Sequence, residues 1–287
     1  MTLTIILLVL CSAFLHPLWN LLAKKDNEPQ FAFITLSFGI AVVGLIHGLL
    51  IGANFWLNAD QWMLISASVA GQLLYNLALA ATLKRGDLSA YYPIIRASPV
   101  FIVAFSFLVL GIHYSLLVLV GITLVLIGAV LLLYRRGHNL LDDGKTLGLA
   151  TLAMCATGIY SLADSRLMLG LEPPVLFFWT QLICWPLLVT ANFLMGNRPP
   201  RFMGLSRLVE KPFLNAQLIA CVYGSYILIL IAYSMGGDVA IVTTIRQASI
   251  PLSVILGGYF LNEGAIARRL IASAILSAGI ITVILYG

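Results

Sequence analysis

The sequence predicts an all-α polytopic membrane protein: ten transmembrane helices arranged as two inverted five-helix repeats. Three observations lead there. Apolar residues make up 61% of the chain and charged ones 9%, against about a quarter charged in an ordinary soluble domain. The apolar runs repeatedly exceed the roughly 20 residues needed to cross about 30 Å of hydrocarbon. Finally, sliding the chain by 151 residues lays Tyr75 on Tyr226, Gly86-Asp87 on Gly237-Asp238, Ala97-Ser98 on Ala248-Ser249 and Gly128 on Gly279.

Spans are placed at 2–23, 31–52, 60–83, 88–110, 115–134, 146–168, 173–195, 211–234, 238–260 and 266–286. They are read as helices because open strands would leave backbone groups unpaired in lipid, and no barrel-like alternation is present. The first span has no basic residue before it and no small-residue cleavage pattern, and Lys24-Lys25 follow it directly, so it is expected to be a retained helix. It carries His16, Pro17, Trp19 and Asn20. The second has glycines at 44, 48 and 52, a spacing that lets helices approach closely. Packing is the preferred reading there, with a sliding interface as the alternative. Trp56 and Trp62 precede and open the third span as interfacial residues, and Tyr75 lies within it.

The fourth span follows Gly86-Asp87 and holds Tyr91, Tyr92, Pro93, Arg96 and Pro99. An arginine near the middle of an apolar span costs at least about 2.5–3.5 kcal/mol on insertion scales, so Arg96 requires a partner or a water-filled cavity. Proline removes an internal hydrogen bond and frees a carbonyl, which predicts a kink beside that arginine. Span 5 is plain and apolar apart from Gly121 and Gly128. Span 6 brings Tyr160, Asp164 and Arg166, and a shift of 144 pairs its Tyr160 and Asp164 with His16 and Asn20 of span 1. Span 7 offers Trp179 and Gln181 as cavity candidates, and span 8 offers Tyr226. Span 9 repeats the design of span 4, with Gly237-Asp238, Thr243, Thr244, Arg246, Gln247 and Pro251. Span 10 closes the second half.

Five spans per half is an odd number, so the second half is expected to run upside down relative to the first, with residues 1–134 and 146–287 as the repeats and 135–145 as a cytoplasmic linker. Thirteen of the 16 Lys and Arg lie in the links after spans 1, 3, 5 and 7 or in the first turn of the spans that follow links 7 and 9 (Lys211, Arg268 and Arg269). By the positive-inside rule those links face the cytoplasm and both termini the periplasm. The net charge of +5 therefore sets topology and implies no nucleic-acid partner. Cys11, Cys155, Cys184 and Cys221 all fall within spans, without metal spacing or a disulfide framework, and read as packing residues. No phosphate-cradling loop, metal-binding His pair or nucleophile–base set appears, so neither an enzyme nor a cofactor is expected.

At 1.5 Å per residue, Arg96, His16 and Tyr75 lie about 12 Å in from the cytoplasmic side, while Arg246, Tyr160 and Tyr226 lie about 12 Å in from the other. Depth alone predicts two layers, each facing its own cavity. Guanidinium pairs bidentately with carboxylate or phosphate, which favours an anionic or zwitterionic solute. The candidate substrate-binding residues are Arg96, Arg246, Tyr75, Tyr160, Tyr226, Trp19, Asn20, Tyr92 and Gln247. His16 and Asp164 are the candidates for proton coupling, and neutralising Arg166 or Arg246 is the leading single role for Asp164.

The short-looped helices, the five-plus-five repeat, His16-Pro17-Leu18-Trp19-Asn20 with Lys24, the Gly-Asp starts of spans 4 and 9, and Leu261-Asn262-Glu263-Gly264 resemble the drug/metabolite transporter superfamily, in its EamA-type ten-helix branch. The resemblance covers essentially the whole chain. It implies a secondary carrier of the bacterial inner membrane working by alternating access, an exporter of a small metabolite such as an amino acid or organic acid. It also implies a central cavity lined mainly by spans 1, 3, 4, 6, 8 and 9; protons, through His16 or Asp164, are the candidate coupling ion, and membrane lipids are the surroundings. The chain departs from the pattern at the first-half counterpart of Glu263, where Ile112 stands. Carriage of a lipid or lipid-linked headgroup, or a non-transporting accessory role, are the alternatives. Arg96→Ala is expected to abolish transport while leaving the protein folded; normal flux through a well-expressed Arg96→Ala protein would remove this residue from the site.

Overall fold

A computed structural model of the chain describes residues 1–23, 29–85, 94–133, 143–196, 205–252 and 266–287, and every element among them is helical. In chain order these are α1 (Leu3–Ala23), α2 (Pro29–Leu50), α3 (Ala59–Arg85), α4 (Ser98–Leu110), α5 (Leu116–Leu133), α6 (Gly144–Leu167), α7 (Pro173–Leu194), the short α8 (Leu205–Glu210), α9 (Pro212–Ser234), α10 (Val239–Ile245) and α11 (Ile266–Tyr286). Among the described residues, five segments are long and apolar enough to cross a bilayer: Ala32–Leu50, Ala59–Thr82, Gly144–Leu167, Pro173–Leu194 and Pro212–Ser234. Five shorter apolar segments, Leu3–His16, Ser98–Leu110, Leu116–Leu131, Val239–Leu252 and Ile271–Tyr286, fall in the other predicted spans. Large apolar side chains such as Leu7, Phe14, Phe107, Leu108, Leu116 and Ile281 point outward, as a lipid-facing surface requires.

Helix ends follow local chemistry. The Asp143 carboxylate accepts from the amides of Lys145 and Thr146, and that of Asp238 accepts from Ile241, so each caps the helix it precedes. Proline opens α4, α7 and α9 in the first turn, where no helical N–H bond is lost. The helix α4 stops at Gly111, whose φ of 66° is left-handed and lets Ile112 N–H reach back to the Ser106 carbonyl at 2.9 Å. Just beyond, the Tyr114 hydroxyl donates to Asp238 at 3.1 Å. Burial, and then the Asp238 carboxylate, push that hydroxyl up to about 12, so it keeps its proton.

The two arginine-bearing spans are broken rather than kinked. Ile94–Arg96 are helical, Ala97 is a turn, and α4 starts at Ser98. The bonds Ala97 N–H to Ile94 O (3.0 Å) and Val100 N–H to Ala97 O (2.9 Å) skip only three residues. In the second half α10 runs into a 3-10 turn at Arg246–Ala248, and residues 249–252 are helical again. The cause is Pro99 and Pro251: each lacks a donor, and each ring displaces the carbonyl four residues back, at Ile95 and Gln247.

The helices pack in cross-half pairs: α3 on α6, α1 on α9, α2 on α7 and α5 on α11. Three of these pairs are antiparallel by their contacts. Gly128 meets Leu276 and Gly121 meets Val283, so α5 and α11 run opposite ways. Phe38 packs on Trp185 with the rings tilted by 55°, while Gly44 lies against Pro174 and Phe178, giving the same sense to α2 and α7. Ser68 reaches Asp164 while Gly71 lies against Ala156 and Tyr160, which does so for α3 and α6. Between α1 and α9 the hydroxyls of Ser12 and Ser225 each donate to the other's carbonyl, at 2.6 and 3.0 Å. Of the predicted glycine stripe, only Gly44 meets a neighbouring helix backbone. Gly48 faces the Phe55 ring, and Gly52 sits beyond the helix end with φ of 69° and nothing near it.

A β-carbon at Gly279 would lie 2.6 Å from the Gly121 carbonyl and 2.7 Å from Val125 N, both backbone atoms unable to yield without moving α5. Gly279→Val is therefore expected to destabilise the fold by about 1–3 kcal/mol through overpacking, read as a lowered melting temperature in detergent. Gly148→Ala, with open space around it, should leave the melting temperature unchanged or slightly raised.

Candidate functional site

A cavity of about 170 Å³ lies between the two halves. The first half supplies His16 from α1, Phe33, Leu36, Ser37 and Ile40 from α2, and Gln72, Tyr75 and Asn76 from α3. The second supplies Tyr160 from α6, Phe177 and Gln181 from α7, Val222, Ser225 and Tyr226 from α9, and Arg246 from the broken span. Helical spacing explains the groupings. Residues 72, 75 and 76, like 222, 225 and 226, fall on one helix face.

Aromatic rings line much of this space. Tyr75 meets Tyr160 edge-on with centroids 6.2 Å apart, Tyr160 meets Tyr226 at 6.3 Å, and Tyr226 meets Phe177 at 5.9 Å. The Arg246 guanidinium lies over the Tyr226 ring, 5.3 Å from its centroid, a favourable seat for a cation on a π face. Its Nε is buried and has no hydrogen-bond partner among the described residues. Arg246 is also the first residue of the 3-10 turn, so the break in the helix is what holds it at this depth.

Arg96 is placed differently. Its Nη2 bonds to Nε2 of the buried His16 at 2.5 Å. Guanidinium has no acceptor, so the imidazole nitrogen must accept, which fixes His16 as neutral with its proton on Nδ1. The Arg96 carbonyl accepts from Gln247 Nε2 at 3.0 Å, joining the two broken spans directly. Arg96 itself does not line the cavity; it stands behind His16.

Asp164 is fully buried on α6. Its two oxygens accept from Ser68 Oγ and Tyr226 Oη, each at 2.5 Å. Gln72 Nε2 donates to Ser68 at 3.0 Å and Gln181 Nε2 to Gln72 Oε1 at 2.5 Å, so a chain of polar side chains runs from the cavity wall to the carboxylate. The expected pairing of Asp164 with Arg166 or Arg246 is not what forms. The hydroxyls of α3 and α9 occupy its oxygens instead.

The two predicted layers merge. His16 and Tyr75 share one cavity with Tyr160, Tyr226 and Arg246. Two levels each about 12 Å deep in about 30 Å of hydrocarbon are separated by only about 6 Å, a gap that a tyrosine side chain closes. The lining also differs from the expected spans, since α2 and α7 contribute. Gln181 faces the cavity as expected, but Trp179 turns away, donating from Nε1 to the Phe55 carbonyl and packing on Trp62. Trp56 is 90% exposed, as an interfacial residue should be. Tyr92, Gly86-Asp87, Lys24 and Leu261–Gly264 lie outside the described residues, as do the side chains of Trp19 and Asn20. Ser68, Gln72 and Asn76 were missed from sequence, although polar residues at 68, 72 and 76 in an apolar span form an i, i+4, i+8 stripe that marks such a face.

Tyr226→Phe removes one of the two donors to a buried carboxylate. It is expected to cost about 1–3 kcal/mol of stability, measured as a drop in melting temperature. Much of that drop should vanish when the same change is made in an Asp164→Leu background, where no acceptor remains to be left unpaired.

Residues 3–134 match the model of the EamA-like transporter family. No curated protein matches the chain. One solved crystal structure of a protein shares the fold at TM-score 0.76, with 18% identity, over 98% of this chain and 97% of its own. Residues 3–134 thus carry the pattern of the EamA-like transporter family, of the drug/metabolite transporter superfamily, and the chain as a whole is a polytopic membrane protein that shares its fold with that solved structure.

Proposed function

We propose that this protein is a secondary active transporter that moves a small anionic or zwitterionic metabolite, such as an amino acid or organic acid, across the bacterial inner membrane by alternating access, as an exporter. The observation that carries the reading is Arg246: a cation with an unpartnered buried Nε at a cavity walled by both halves of the chain. An anionic group in the cavity would satisfy that donor, and the tyrosine rings would hold the rest of the solute.

The inverted repeat is part of the same proposal. Exchanging each first-half helix for its second-half counterpart turns the α3–α6 pair into α9–α1 and leaves α2–α7 and α5–α11 unchanged. Helices related by the repeat offset also run antiparallel where their contacts define a direction, which supports a pseudo-twofold axis in the membrane plane. The distribution of basic residues supports cytoplasmic odd-numbered links.

Proton coupling has two candidate carriers. A proton arriving at His16 Nε2 must displace Arg96, because that nitrogen has a single lone pair and the guanidinium already uses it. Asp164 has no cation beside it among the described residues, so gaining a proton there removes an uncompensated buried charge.

Flux measured in proteoliposomes tests the reading. A labelled panel of small carboxylates and amino acids should include at least one transported solute, accelerated by an imposed pH gradient. Arg246→Gln should lower that flux by at least about tenfold, about 1.4 kcal/mol of lost interaction, in a protein whose melting temperature is little changed. Full flux in that variant would overturn the assignment of Arg246.

A further inference from the structure

The charges around the cavity narrow the solute further than anionic or zwitterionic, resting on the reading above that Arg246 receives it. Among the described lining residues the ionisable ones are Arg246, His16 and the tyrosines; none is a carboxylate. The nearest acid, Asp164, is fully buried, and its oxygens already accept from Ser68 and Tyr226. An ammonium group brought into the cavity would leave water and meet no free anion among the described residues, a costly transfer. A second carboxylate would fare no better, since Arg96 stands behind His16 and Arg246 is the cation at the cavity wall.

Size and wall chemistry describe the rest of the molecule. The cavity of about 170 Å³ compares with roughly 150 Å³ for an apolar cavity that takes up one benzene. Its rings stand edge to face around it, and Phe33, Leu36, Ile40 and Val222 complete an apolar wall. Positive charge is confined to one region, where Arg246 lies on Tyr226, while neutral His16, Ser37, Gln72, Asn76, Gln181 and Ser225 add uncharged polar groups to the wall. Such a space suits a single charge at one end of a compact apolar body.

We propose that the cavity binds a small monocarboxylate with a ring-sized apolar body, the carboxylate on Arg246 and the body among Tyr75, Tyr160, Tyr226 and Phe177, and that it discriminates against the amino acid carrying the same body. The probes are benzoate, phenylalanine, phthalate and benzylamine, compared by saturable thermal stabilisation of the purified full chain. Benzoate should stabilise with an apparent Kd at least about tenfold below that of phenylalanine or phthalate, and benzylamine should have no effect. The benzoate response should disappear in Arg246→Gln; its persistence there would overturn the carboxylate's placement.

If phenylalanine binds as tightly as benzoate, the monocarboxylate proposal fails while transport of a zwitterion on Arg246 stands. If benzylamine alone stabilises, both fall; if none of the four does, the monocarboxylate proposal fails and the flux measurement decides the broader reading. Should Arg246→Gln not fold, the ranking of the four probes on the unaltered protein decides the proposal by itself.

Discussion

A guanidinium cannot sit in hydrocarbon unanswered, and this molecule is organised around two that sit inside apolar spans. Desolvation makes each arginine depend on what surrounds it. Arg96 is answered by a neutral imidazole from α1. Arg246 is answered by a tyrosine face and by the cavity itself. The difference divides their roles: the first is a tie between helices, the second an open valence. Both positions depend on a proline that breaks the helix one turn away, because an unbroken helix would hold its peptide dipoles in line and present no irregular backbone at mid-depth.

Around that centre, the packing is done by small residues and hydroxyls. Lipid offers no hydrophobic drive for helix association, so close approach and hydrogen bonds must supply it. Gly121 against Gly279 and the reciprocal bonds of Ser12 and Ser225 do so at two separate helix pairs. Among the described residues, every strong pair joins one half of the chain to the other. The cavity consequently has walls from both halves, and neither half alone encloses it.

The helices were legible because membrane crossing imposes a length and a composition that the sequence displays openly. A distortion of spans 4 and 9 was legible from Pro99 and Pro251, although as a kink rather than the break that forms, and the candidate residues His16, Tyr75, Tyr160, Tyr226 and Arg246 all reach one cavity. What could not be read was facing. Depth along a helix follows from residue number, but rotation about its axis depends on partners. Arg96 was expected at the cavity and stands behind His16, while Trp179 was expected there and turns to Phe55. Asp164 illustrates the limit most clearly. Its neighbours in sequence suggested an ion pair, yet its partners Ser68 and Tyr226 come from helices 96 and 62 residues away.

The bond from Gln247 to the Arg96 carbonyl spans 151 residues, the same offset that superposes the two halves of the sequence. It therefore links a position to its own counterpart. Under the proposed repeat, a point that coincides with its own image lies on the symmetry axis, where an interchange of the two halves displaces atoms least. Under the proposed alternating access, the bond would serve as a fulcrum. A carrier that rocks about it would keep this contact in both of its end states while trading the contacts farther out.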